Sequence, residues 1–146
     1  MNPTTVDPAI PLQRGIYALL AGDAELAALD QFAGGYDGPP ENVQGAYVVV
    51  GTRKQSIPAD VHGRPGRQNI ISIDTWTRAR SSIPGDTIGA RIVALLNRQQ
   101  AALDPLVDGH TVWKVMWEDS LSLDDPDREV RHRIDRFRIY TAQEEE

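Results

Sequence analysis

The three histidines are the residues of this sequence with the widest choice of chemistry. His62, His110 and His132 fall in three separate segments, and no two of them have the HxH or HxxxH spacing of a local metal site. A zinc site would require two or three of them to converge with a carboxylate such as Asp60 or Asp119. We therefore predict no metal site and no cofactor, and we interpret His132 as a sheet residue paired across a hairpin.

A run of carboxylates could perform acid–base chemistry if one of its members were buried. The run consists of Glu118, Asp119, Asp124, Asp125 and Asp127. Its Asp-Asp-Pro-Asp centre is typical of a turn, because Asp side chains bond to their own backbone there. The run lacks the alternating ligands and the glycine of a calcium-binding loop. We therefore interpret these carboxylates as turn residues.

Two groups of cations are candidates for contacts with a partner. The denser group comprises Arg128, Arg131, Arg133, Arg136 and Arg138, and the other comprises Arg53, Lys54, Arg64 and Arg67. Guanidinium groups can bind carboxylates of a neighbouring chain in a bidentate manner, and charges on a strand can equally discourage edge pairing. The second group could contact DNA phosphates or an acidic protein, but no interleaved aromatic residues are present to stack on bases.

The rest of the sequence offers no catalytic motif. The chain has no cysteine, which excludes disulfides and thiolate nucleophiles, and it has neither a glycine-rich phosphate loop nor a nucleophile elbow. We therefore predict a protein that is not an enzyme, with a small hydrolase or nucleotide-binding enzyme as a distant alternative. The net charge of −6 argues against a protein that mainly grips nucleic acid.

Length and composition are those of one folded domain. With 146 residues, 40% of them hydrophobic and 25% charged, the chain can bury one sizeable core. We expect a single domain over 1–146, with a loose arm over 1–6 and an acidic tail over 142–146. Apolar runs are too short to cross a bilayer and the first residues lack the features of a signal peptide, so we expect a cytoplasmic protein of a bacterium, or of something that replicates in one.

Helices and strands are predicted in the order helix, helix, strand, strand, helix, strand, strand. The first helix begins at Asp7 and Asp23 caps a short second one. A Gly- and Pro-rich connector over 32–46 is followed by strands over 46–50 and 69–77. These elements predict an α+β fold in which an antiparallel-dominated four-strand sheet has helices packed on one face.

The longest helix is predicted from Ser82 and Pro84 to the stop at Asp104. Its apolar stripe comprises Ile88, Ile92, Leu95, Leu96 and Leu103, and we expect the stripe to pack on the sheet face of Trp113, Val115 and Trp117.

The last two strands form a long hairpin, His110 to Thr141. Its second strand changes apolar phase near Asp135 and Arg136, which suggests a β-bulge.

The polar, basic stretch 52–68 has two readings, a mobile functional loop or a flap that extends the strands. It contains only two large apolar residues, Ile57 and Val61, and is broken by Pro58, Pro65 and glycines. We therefore expect high mobility in the isolated subunit and ordering on assembly.

The order of several short runs resembles a known family. The runs are IYALLAGDAELAAL (16–29), AYVVVG (46–51), ISIDTWTR (71–78), IVALLN (92–97) and the hairpin WEDSLSLDDPDREVRHRIDRFRI (117–139). In this order they are similar to the small tail-completion, or tail-terminator, proteins of long-tailed bacteriophages and phage-derived particles, such as the lambda-type tail terminator. The resemblance covers most of the chain, and it rests on order and spacing rather than on any single motif.

The resemblance implies a mechanical role without catalysis. Members of this family form a ring, commonly six-fold, on the head-proximal end of the tail tube, where they stop tube polymerisation and offer a surface to the head-completion protein. The chain would then be a virion protein assembled in the host cytoplasm, with DNA passing through the ring without specific binding. A head–tail connector or neck component of the same particle is the alternative.

Within that role we assign two contact surfaces. We expect Arg53, Lys54, Arg64 and Arg67 to contact the tube axis or a neighbouring protein. We expect Arg131, Arg133, Arg136 and Arg138 to contact adjacent subunits, because identical heterologous contacts close a ring.

Overall fold

The computed structural model describes residues 7–29, 32–36, 45–61, 63–124 and 129–144. Its elements in chain order are α1 Ala9–Ala21, α2 Ala24–Ala27, β1 Phe32–Tyr36, β2 Ala46–Val61, β3 Arg64–Arg78, α3 Ile83–Leu96, α4 Gln100–Leu103, a 3-10 turn Asp104–Leu106, β4 His110–Asp124 and β5 Val130–Gln143. No helix within these ranges is long and apolar enough to span a membrane.

The strands form one sheet in the order β1-β2-β3-β5-β4. The predicted four-strand antiparallel sheet is confirmed by the pairings of β2 with β3, β3 with β5 and β5 with β4. A fifth strand, β1, pairs parallel with the start of β2. This strand lies inside the segment that we predicted as a connector. The sequence did not predict it, because FAGGY contains two glycines, which are rare in strands.

The core lies between the helices and one face of the sheet. Its largest wholly buried side chains are Leu12 and Ile16 of α1, Ile88, Ile92 and Leu96 of α3, Ile71 and Ile73 of β3, and Phe137 and Ile139 of β5. Their spacing of three and four in the helices, and of two in the strands, directs each set toward the same layer. The α+β class predicted from the sequence is therefore the observed one.

The helix ends follow the predicted local chemistry in part. Asp23 caps α2, accepting a hydrogen bond from the Leu26 N–H at 2.8 Å. The two oxygens of Asp23 also accept bonds of 2.8 Å each from the guanidinium of Arg91, and this contact lowers the pKa of Asp23. Arg91 lies on α3, so the cap of α2 also ties α2 to α3.

The predicted long helix is wrong in its last third, because α3 ends at Leu96. Arg98 takes a left-handed conformation with φ 60°. The chain then turns along the outer edge of β4, where the Arg98 N–H donates to the Val115 carbonyl at 2.8 Å and the Asn97 side chain accepts from the Trp117 N–H at 3.0 Å. These bonds occupy backbone groups of an edge strand, which otherwise invite pairing with other chains.

The predicted bulge in the last strand is also wrong. β5 pairs with β3 without interruption from Val130 to Thr141, and the irregularities lie in β4, between Val112 and Lys114 and between Trp117 and Asp119. The apolar phase changes because β5 buries residues on both of its faces, with Asp135 and Ile134 each no more than 4% exposed.

The first irregularity in β4 separates Trp113 from Val115 and Trp117, the other two residues that we expected on one face. Val115 is buried in the core, whereas Trp113 lines a surface groove together with Lys114 and Tyr140. Trp117 lies opposite Phe137 and is 41% exposed at the sheet edge.

Within the segment 52–68, the residues from Lys54 to Val61 and from Arg64 to Gln68 are paired strand rather than loop. β2 and β3 pair through it from Lys54 with Ile71 to Val61 with Arg64. Of our two interpretations, the structure agrees with the flap that extends the strands. The mobility of the segment stays a prediction. Ala142 and Gln143 belong to β5, so the expected tail over 142–146 begins later, while the expected arm over 1–6 lies outside the described residues.

Two adjacent leucines of α3 test how the helix is docked. Leu96 is wholly buried and Leu95 is only half-buried against the core. Leu96→Ala should lower the free energy of unfolding by roughly 2–5 kcal/mol, the range for truncating a buried leucine, and Leu95→Ala should cost clearly less. Urea denaturation measures both. Equal losses, or a loss at Leu96 below about 0.5 kcal/mol, would contradict this docking.

Candidate interaction surface

The β2–β3 hairpin carries the first group of predicted contact cations. Arg53 and Lys54 follow Gly51, whose φ of 80° lets β2 shift its register against β3. Arg64 lies opposite Val61 at the tip, and Arg67 lies three residues further along β3. At about 3.3 Å per residue, the tip is roughly 20 Å from Lys54. The structure therefore spreads these cations along the hairpin rather than gathering them in one cluster.

The cations of the hairpin differ in how firmly they are held. The Lys54 ammonium donates to the Gln13 side chain of α1 at 2.7 Å, and the Arg67 guanidinium donates to the Ser56 hydroxyl and carbonyl at 3.0 Å each. Arg53 is anchored through its backbone N–H, which donates to the Ser72 hydroxyl at 2.9 Å, and its side chain is exposed. Arg53 is thus an exposed cation at the base of the hairpin.

The four arginines of β5 divide between the two faces of the sheet. Arg131 and Arg133 lie on the face that carries the helices, whereas Arg136 and Arg138 lie on the outer face. This division follows from the two-residue period of a strand. The sequence-based grouping of these four as one contact surface therefore joins residues that the fold separates.

Arg133 is used inside the molecule. Its guanidinium donates to both oxygens of Asp135 at 3.0 Å and to Asp86 of α3 at 3.2 Å. Burial opposes its charge, but the bonds to Asp135 and Asp86 leave the pKa of Arg133 raised. α3 approaches this side chain closely at Gly89, where an added Cβ would lie 2.3 Å from the Arg133 Nε.

The outer-face arginines form ion pairs across the β4–β5 hairpin. Arg136 bonds to Asp119 through both guanidinium arms, one at 2.8 Å, and Arg138 lies 2.7 Å from Glu118. The hydrogen bond from Arg136 lowers the pKa of Asp119. The Arg136 side chain remains 52% exposed, so a second carboxylate can still reach it. The turn residues Asp125, Asp127 and Arg128 lie outside the described residues.

A row of rings crosses the outer face of the sheet, and sequence reasoning did not find it. Tyr47 of β2, Trp76 of β3 and His132 of β5 are neighbours in register, with ring centroids 6.4 Å and 3.7 Å apart. The His132 Nε2 lies 2.7 Å from an oxygen of Asp74, which is buried. The register also pairs His132 with Leu123 across the β4–β5 hairpin, as we predicted. In the sequence, the only sign of the row is that each of the three residues occupies an outward-facing position in the alternating pattern of its own strand.

Exposed apolar side chains continue this row onto β4. Leu123 lies opposite His132 and is 37% exposed, and Leu121 lies opposite Ile134 and is 53% exposed. The half of β4 that carries them lies beyond the bonds from Asn97 and Arg98 described above. Leucine exposed beside an edge strand is typical of a surface that another protein covers.

The described residues contain no group of three or more His, Asp or Glu side chains arranged to hold a metal ion. Of the other two histidines, His110 is buried at the first position of β4, and His62 lies outside the described residues. His132 contacts a carboxylate, that of Asp74.

This chain resembles known proteins both in its fold and in a family sequence model. Among solved structures, a chain from the "Virion of native gene transfer agent (GTA) particle" has a TM-score of 0.78 at 20% sequence identity, with 94% of this chain and 98% of that chain covered. This likeness shows a shared fold over nearly the full length of both chains. No curated protein sequence matches. The family described as "Tail completion protein gp17" matches residues 14–142. Because that match takes in nearly the whole chain, from α1 to the end of β5, the protein belongs to the tail completion protein gp17 family.

Proposed function

We propose that this protein completes phage-type tails, as a structural subunit without catalytic activity. The observation that carries the proposal is the family match over residues 14–142. The shared fold with a chain of a gene transfer agent virion supports it, since that chain is part of a virion.

In the finer form of the proposal, copies of the chain close into a ring, with six-fold symmetry, on the head-proximal end of the tail tube. The ring stops tube polymerisation and then offers its other side to a head-completion or connector protein. A ring needs two different contact surfaces on each subunit. The chain offers two candidates near opposite edges of the sheet, the β2–β3 hairpin with its cations and the exposed half of β4 with Leu121 and Leu123.

The charges of the chain also suit this role. A net charge of −6 would let DNA pass through a ring without sticking to it. The exposed cation Arg53 and the half-exposed Arg136 would instead meet carboxylates of neighbouring proteins, because guanidinium groups bind carboxylates well at interfaces. We assign Arg53, Lys54, Arg64 and Arg67 to a neighbouring subunit, the tube or the next ring, and Arg136 and Arg138 to the adjacent subunit.

Inactivating the gene tests the proposal directly. Without a tail terminator, the tube has no stop, so negative-stain electron microscopy should show tails of irregular, excessive length separated from filled heads. Restoring the gene should restore tails of one length. Tails of normal length that merely lack heads would support the neck or connector alternative instead. Infectious particles of normal shape would contradict both.

Charge reversal at Arg53 tests the contact assigned to the hairpin. Because its side chain is exposed, Arg53→Glu should change the free energy of unfolding by about 0.5 kcal/mol or less, while it lowers the yield of joined particles. Arg14→Glu, at an exposed cation of α1, is the matched control and should leave the yield unchanged. Equal yields for the two variants would make the hairpin a passive extension of the sheet.

A further inference from the structure

The first turn of α3 closes one end of a small pocket whose floor is the sheet. The pocket has a volume of about 40 Å³. Thr75 and Thr77 of β3 lie on its floor, opposite Arg133 and Arg131 of β5 in register, and Ser122 of β4 completes this side. The pocket is therefore a product of strand register, since all of these side chains project from the same face.

Two buried hydroxyl groups line this pocket without a protein partner. Thr75 and Thr77 are each 1% exposed, and within the described residues neither hydroxyl makes a hydrogen bond. Buried polar groups in native proteins are nearly always hydrogen-bonded, because an unsatisfied one costs free energy. Two such groups on one small pocket indicate that the pocket holds a hydrogen-bonding ligand.

The electrostatic surroundings favour a negatively charged ligand. Arg131 and Arg133 contribute two positive charges to the lining and Asp86 contributes one negative charge, while the buried Asp135 balances the charge of Arg133. α3 has 14 residues and points its N-terminus at the pocket through Ser82 and Gly85, which adds the positive end of a helix dipole. Gly85 brings this turn close to the floor, since an added Cβ there would lie 3.4 Å from the Thr77 hydroxyl.

The size of the pocket limits the ligand. One water molecule needs roughly 10–15 Å³ of cavity volume. The pocket, at about 40 Å³, therefore has room for about three heavy atoms. A carboxylate group, with one carbon and two oxygens, has this size, and it accepts hydrogen bonds from hydroxyl, guanidinium and backbone N–H donors. A nucleotide or a sugar is too large to enter.

We propose that this pocket binds a carboxylate, supplied in the assembled particle by an Asp or Glu side chain of an adjoining protein chain. The source of the carboxylate rests on the proposed function, whereas the ability of the pocket to bind one does not. Arg133 keeps its bonds to Asp135 and Asp86, and the incoming oxygens bond to the hydroxyls of Thr75 and Thr77 and to the first turn of α3.

Titration of the isolated chain with sodium acetate tests the pocket itself. Two-dimensional ¹H–¹⁵N NMR should show saturable shifts at the amides of Gly85 and Thr77, and a parallel titration with sodium chloride should not reproduce them. Thr77→Val removes one hydroxyl with little change of shape and should weaken acetate binding roughly ten-fold or more. Thr52→Val, at an exposed threonine of β2, is the matched control.

The melting temperature of Thr77→Val distinguishes a loss of acetate binding from a loss of folding. Because the Thr77 hydroxyl has no partner among the described residues, Thr77→Val should melt no lower than the parent chain. Shifts that do not saturate, that occur equally with chloride, or that persist in Thr77→Val would overturn the carboxylate site and leave a pocket of ordered water.

A second arm identifies the source of the carboxylate. Thr77→Val should join fewer tails and heads than Thr52→Val when each replaces the natural chain. If acetate binding is lost but joining is normal, the adjoining chain is not the source and that part of the proposal fails. If the chain has no role in tails, joining is insensitive to every variant while the acetate result stands, so the two failures are distinguishable.

Discussion

The architecture depends on one charge that is held between α3 and the sheet. Arg133 lies under Gly89, and its partner Asp135 is wholly buried. A buried charge is tolerable only when it is paired, and removing one partner of such a pair is strongly destabilising. A shift of β5 by one residue would move both side chains to the outer face, so the pair also specifies the strand register. The close approach of α3, the position of its N-terminus and the pocket beneath it all follow from this arrangement.

Much of the fold can be predicted from periodicity alone. The predicted helical stripe and the alternation of Ile71 and Ile73 are strong local signals. The structure buries Ile88, Ile92 and Leu96 of the stripe together with Ile71 and Ile73, and leaves Leu95 half-buried. The incorrect predictions have a common cause: contacts between residues far apart in the sequence determine the structure at those positions. The break of α3 reflects bonds to the edge of β4, the missing bulge reflects burial on both faces of β5, and β1 forms against β2 despite its glycines.

The sequence identifies the residues of the candidate surfaces but not where those residues lie on the fold. Arginine content and position in β5 are visible in the sequence, yet only the register shows that Arg133 is consumed by an internal contact while Arg136 stays half-exposed. The outer row of Tyr47, Trp76 and His132 comes from three distant segments, and no local pattern joins them. Such placement decides which charges remain for partners.

The most direct measurement for a tail-terminating role is the position of the chain on the particle. Immunogold labelling of purified tails, viewed by electron microscopy, locates it without any substitution. A terminator ring predicts gold at one end of each tube only, the end that joins the head, both before and after joining. Label distributed along the tube, or on heads that have never met a tail, would contradict the account.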